Sequence, residues 1–267
     1  MAFLATRHHR ERLVLRPLPE RKRSRSAVWS LRVAGFAPVL AGVSLLAHNI
    51  GMVDTPAFLV LGACVAIIAL VGLVVIAAAL RSLWMKGTKG GRSVIAALFF
   101  SIVTLTPYAI GTAAFFANPR QNDVSTDLVD PPLMESEARL TAVNPLAVVA
   151  ADLRDGYPEL SGRRYKAPPE AIEQTILAVA EARGWQLVSR RGRISADDEL
   201  FFEFSYRVPV LAIPGVIVIR LADEGDTSFV DMRARTGHVP HDLGWNARLI
   251  ASYLTALDFE LVGIVEA

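Results

Sequence analysis

Hydrophobic positions fall into two regimes along the chain. Residues 33–53, 56–80 and 94–117 are uncharged runs dominated by Leu, Val, Ile and Ala, whereas beyond residue 117 apolar positions recur at short helical and strand periods. Each uncharged run reaches the roughly 20 residues that a helix rising about 1.5 Å per residue needs to cross a hydrocarbon core. Three transmembrane helices are therefore expected. A cleavable signal peptide is the alternative reading of the first run, but its apolar part exceeds the usual ~7–15 residues and two more spans follow directly.

After the spans, residues 118–168 are rich in Pro, Asp, Asn and Arg with little periodicity, which predicts an extended segment that links the bundle to the domain or wraps over it. Pro168 and Pro169 suit a first helical turn, and Ile172, Ile176, Val179 and Ala180 continue at helical spacing to a stop at Gly184. Trp185–Ser189 and Arg193–Ala196 read as a short hairpin around Arg190, Arg191 and Gly192. Glu199–Val208 alternates, with Phe202, Phe204, Tyr206 and Val208 on one face and Phe201, Glu203, Ser205 and Arg207 on the other. Val216–Ile219 is a β-branched run suited to a central strand, and Phe229–Thr236 alternates again after a turn at Asp223–Asp226. A last helix over about Gly244–Asp258 presents Leu249, Ile250, Tyr253, Leu254 and Leu257. The expected fold is α+β: three N-terminal transmembrane helices, then a soluble domain with an antiparallel sheet and two main helices. The corresponding divisions are a basic cytoplasmic tail (1–32), the transmembrane region (33–117), the extended segment (118–168) and the α+β core (169–267), with 118–267 as one soluble domain.

Charge separates along the same line. Residues 1–117 hold 13 Lys and Arg against 3 acids, a net of +10, and residues 118–267 hold 15 against 23, a net of −8. The pI near 8.8 is thus a property of the membrane part, and the acidic domain would be repelled by phosphate backbones, so nucleic acid is not an expected partner. Nine Lys and Arg precede the first span, including Arg21, Lys22, Arg23 and Arg25, and Arg81, Lys86, Lys89 and Arg92 follow the second, while the turn between them carries only Asp54. Basic loops stay in the cytoplasm, which predicts a cytoplasmic N-terminus and a periplasmic or other extracytoplasmic C-terminal domain on the inner or plasma membrane. The spans hold no acid, Lys or Arg, so a proton or ion path is not expected. Cys64 lies mid-span, facing lipid or another helix, and Gly35 with Gly42 and Gly62 with Ala66 suggest close helix contacts.

Candidate chemistry concentrates near the C-terminus. Asp231, Arg233 and Arg235 share a strand face, and a loop then leads to Asp242, Asn246 and Arg248 at a helix start. Arginines beside the unpaired N–H groups of a helix start form a plausible anion site. The competing reading is structural: Asp231 or Asp242 pairs with these arginines, Asp242 caps the helix, and Arg248 locks loop to strand. Asp123, Ser125, Thr126 and Asp127 are secondary candidates, as nucleophile or acid and base, although side-chain bonds within a turn also explain them. His238 and His241 are three apart and would need further ligands to hold zinc. No metal and no cofactor are expected.

Asn-Asp-Val-Ser-Thr-Asp (122–127), Asp-Pro-Pro (130–132), Tyr-Pro (157–158), Gly-Trp (184–185), Asp-Met-Arg-Ala-Arg-Thr (231–236) and Asp-Leu-Gly-Trp-Asn-Ala-Arg (242–248) together resemble a bacterial and plastid family, domain of unknown function 1499. The resemblance covers about residues 120–260 and implies membrane spans before the domain but no particular activity. Asp231, Arg233, Asp242, Gly244, Asn246 and Arg248 match the family's C-terminal pattern. The chain departs from it at Pro214-Gly215 and at Gly237–His241. The expected function is a membrane-anchored binding or interaction module that recognises membrane lipid headgroups, a small anion or an envelope protein partner. The alternatives are an envelope hydrolase using carboxylates of the soluble domain, and a structural or assembly protein.

Overall fold

In a computed structural model that describes residues 22–135, 150–194 and 199–265, the three apolar runs form helices α1 (Arg25–Asn49), α2 (Thr55–Lys86) and α3 (Gly91–Ala117), each long and apolar enough to cross a membrane. The tail residues 1–21 lie outside the described residues. α1 starts within the basic stretch because the Ser24 hydroxyl accepts the Ala27 N–H, and Asp54 caps α2 by accepting the Ala57 N–H at 2.9 Å. The helices meet at small residues. A Cβ placed on Gly72 would stand 3.6 Å from Ala34 Cα and 3.5 Å from Ser101 Oγ, so the three backbones approach closely there. Gly35 and Gly42, expected at such a contact, instead face open space; Gly62 does meet its neighbour, since the Tyr108 hydroxyl donates to its carbonyl at 2.7 Å. Cys64 is exposed on α2.

The domain is one antiparallel sheet with helices on one face. Its long strands are β4 (Glu199–Arg207), β5 (Pro214–Asp223) and β6 (Ser228–Thr236), with β5 in the middle. The shorter β3 (Gln186–Arg191) pairs with the free side of β4, and β1 (Asp123–Ser125) and β2 (Arg163–Tyr165) lie end to end along β6. Helices α5 (Pro169–Ala182) and α6 (Trp245–Val265) bury Ile172, Ile176, Ile250, Tyr253, Leu254 and Leu257 against Phe202, Phe204, Ile217, Ile219, Val230 and Met232. Each such side chain contributes about 1.5–3 kcal/mol by leaving water. The alternation expected for β4 and β6 therefore holds, and the α+β reading with it.

Two local expectations are corrected. The stretch 118–168 supplies β1, β2 and a short helix, α4 (Ala150–Gly156), and its strands were invisible to periodicity because each is only three residues long. The tight hairpin around Arg190–Gly192 does not form: β3 runs through Arg191 and pairs with β4, with a bulge between Leu187 and Ser189. Arg193 and Ile194 are not in a strand, and residues 195–198 lie outside the described residues. The sheet face opposite the helices is covered. Residues 126–135 cross it as a strap whose Pro131, Pro132 and Met134 are buried, so Val218, Asp231 and Arg233 behind it are buried too.

The domain rests directly on the end of the bundle where α1 and α3 finish. The Asn49 amide at the end of α1 donates to Val210 O in the β4–β5 turn at 3.0 Å. His241 meets Phe115 O in the last turn of α3 at 3.1 Å, its ring lying 4.6 Å from that of Phe115, and Leu243 packs toward Gly111.

Candidate functional site

Asp231 and Arg233 of β6 lie buried under the strap, and charge removed from water there must be matched. Arg233, fully buried, gives its Nε and Nη2 to the two carboxylate oxygens of Asp123 at 2.9 and 2.8 Å and its Nη1 to Pro132 O. Asp231 pairs not with Arg233 or Arg235 but with Arg220 of β5, again through two bonds, at 2.9 and 3.0 Å. Arg220 also meets Asp127, Asp130 and Glu199. Burial works against the Arg220 cation, but the hydrogen bonds it donates to Asp231 and Asp130 raise its pKa overall. Burial lifts the Asp231 carboxyl to about 6, with Asp127 and Glu199 adding to the rise against the pull of Arg220. Arg235, over a third exposed, stands 4.0 Å from Asp123.

Asn246 bonds Thr236 on the helix side of the sheet, whereas Asp231 and Arg233 lie under the strap, so these candidates do not share one cavity. Asp242 is the N-terminal cap of α6: its carboxylate accepts the N–H groups of Gly244 and Asn246 at 2.9 and 2.7 Å. Burial raises its pKa, opposed by those same bonds. The fully buried Asn246 accepts from the Tyr206 hydroxyl at 2.6 Å and the Thr236 hydroxyl at 3.1 Å and donates to Asn122 O at 2.8 Å. The motifs at residues 122–127, 231–236 and 242–248 are thus bonded to one another. Arg248 is exposed and donates to Leu243 O in the loop.

The remaining candidates have local partners. Thr126 exchanges bonds with the Met232 backbone, Ser125 reaches Met232 O, and Asp127 holds the Val129 and Asp130 N–H groups while contacting Arg220. A hydrolase would find its carboxylates already bound to guanidinium or backbone groups. His238 is exposed, and His241 uses both ring nitrogens, accepting from Leu243 N at 2.9 Å and facing Phe115 O. Among the described residues no three His, Cys, Asp or Glu side chains gather as a metal site would require.

A cleft of about 990 Å³ opens where α5 ends, β4 meets β5 and α6 begins. Arg183, Arg207 and Arg248 line it, with the rings of Trp185 and Trp245, and no acid does. None of the three forms an ion pair among the described residues. Arg183 is held by Ser252, at 2.9 Å to its hydroxyl and 2.6 Å to its carbonyl, and lies against Trp185 and Tyr253. Those two rings stack at 4.9 Å, and burial lowers the Arg183 pKa. Trp245 Nε1 is buried and faces the Tyr206 hydroxyl. The floor is shaped by Gly215, where any side chain would strike the Tyr206 ring lying across it. Of the sequence candidates only Arg248 reaches this cleft. Arg183, Arg207, Trp185 and Trp245 escaped notice because they come from four separate elements with no shared spacing; their one signal was basic residues recurring in an acidic domain.

Residues 123–257, just over half of the chain, match the family model described as "Protein of unknown function (DUF1499)". No curated protein matches.

Proposed function

The chain belongs to this DUF1499 family, and we propose that it is a membrane-anchored binding module whose domain lies on the non-cytoplasmic side and takes an anionic group into the Arg183–Arg207–Arg248 cleft. The observation that carries this reading is the inversion of charge. In a domain of net −8, three guanidinium groups share a cleft without a carboxylate among its lining residues. Three cations held together repel one another, and an anion with several acceptor oxygens relieves that repulsion while accepting charge-assisted hydrogen bonds. Trp185 and Trp245 lower the local dielectric and strengthen each such bond. The placement outside the cytoplasm is supported by the basic residues clustered before α1 and between α2 and α3, at the bundle end away from the domain.

Titration with glycerol phosphate tests the reading. The full chain is taken in a zwitterionic detergent, with Trp29 and Trp84 replaced by Phe so that only Trp185 and Trp245 fluoresce. A saturable change that weakens with salt is expected, and Arg207→Gln combined with Arg248→Gln should remove it. A double variant that saturates as the parent does would overturn the reading, because both side chains are exposed and the pair gives up a single bond, from Arg248 to Leu243 O.

A further inference from the structure

Taking the basic cleft as an anion site, we infer that its ligand is the headgroup of an acidic phospholipid, supplied by the leaflet next to the end of the helix bundle. The rim of the cleft is attached to the bundle on both sides. On one side Pro209 lines the cleft, and the next residue, Val210, receives the bond from Asn49 at the last turn of α1. On the other side Trp245 lines it two residues after Leu243, which packs toward Gly111 of α3, and four after His241, which meets Phe115 O. A cleft bracketed by the ends of two spans lies at the depth of the headgroups.

The β4–β5 turn has the chemistry for that depth. Val210 is 73% exposed and Leu211 43% exposed, next to Ile50 and Met52, also exposed, at the end of α1. An apolar tip on an acidic domain is unfavourable in water and favourable against acyl chains. The tip is also held in a demanding shape: Val210 and Ala212 both adopt left-handed backbone, at φ 67° and 53°, and the Val208, Leu211 and Ala212 N–H groups are all bonded within the turn. Arginine and tryptophan then stand above it, the pairing that recognises phosphate at a membrane interface. A lipid entering here would keep its chains beside the tip while its phosphodiester reached Arg207 and Arg248.

The test uses the full chain and two variants. Reconstituted into phosphatidylcholine nanodiscs with and without phosphatidylglycerol, the wild-type chain should retain phosphatidylglycerol through extraction and native mass spectrometry. Its preference over phosphatidylcholine should fall about thirtyfold on losing two interfacial arginines in Arg207→Gln with Arg248→Gln. Val210→Asp with Leu211→Asp should lose the retained lipid yet still bind glycerol phosphate in detergent, which shows the cleft to be intact. Retention of phosphatidylglycerol by the tip variant at the wild-type level overturns the lipid inference. So does glycerol phosphate binding by a wild-type chain that shows no preference between the two lipids; the anion reading survives either result. Failure of both probes on the wild-type chain removes both.

Discussion

Arg233 carries its charge with no part of its side chain in water, a state sustained by the two oxygens of Asp123 on the opposing strand. Arg233→Met should therefore destabilise the domain by about 3–5 kcal/mol, because Asp123 loses both short bonds and keeps only the distant Arg235, 4.0 Å away. Thermal unfolding of the full chain in detergent reads this, and adding Asp123→Asn should recover part of the loss. Arg235→Gln, at a partly exposed site, should change stability far less. Asp231 supplies a pH dependence. An unfolded Asp carboxyl titrates at 3.8 and the folded one at about 6, so between these values the folded state holds a proton that the unfolded state has released. Its contribution to stability thus falls as pH rises from about 4 to about 6 and is level above. Asp231→Asn should remove that slope, at most about 3 kcal/mol, in an unfolding series across this window.

At the scale of elements, α6 depends on its first turn. Asp242→Ala should cost about 1–2 kcal/mol by freeing the Gly244 and Asn246 N–H groups, whereas Asp242→Asn, which keeps one of the two acceptor oxygens, should cost less; chemical denaturation compares the two. That cap was legible in the sequence, as were the three spans and the faces of β4 and β6, since each rests on local spacing. What the sequence concealed rests on partners far apart in the chain. Arg220 follows a β-branched run and offers no sign that Asp231 sits across from it, and the ion pair of Asp123 with Arg233 spans 110 residues. β3 was misjudged because Gln186, Leu187 and Val188 are all exposed, leaving no alternation to read, while Arg191-Gly192 imitates a tight turn. The candidate site divided for a simple reason. On β6 the arginines point under the strap while Thr236, which bonds Asn246, points toward the helices, and a strand reverses its side chains at every residue.

For the whole molecule, the distribution of charge makes a topological prediction. Alkaline phosphatase fused after Ala267 should be active and a fluorescent protein that matures only in the cytoplasm should stay dark; the reverse pattern would place the domain inside and remove the basis for the proposed location. The sheet order has a further consequence, for synthesis. β1 emerges immediately after α3, yet its neighbour in the sheet is β6, the last of the described strands to be made. The ribosome must add about a hundred more residues before Asp123 can meet Arg233. Until then the strap has no finished surface to cover, and two halves of one signature wait at opposite ends of a growing chain. A message cut short before Ser228 would still encode the three apolar helices but could never close the sheet, so synthesis of β6 is itself the step that seals the domain.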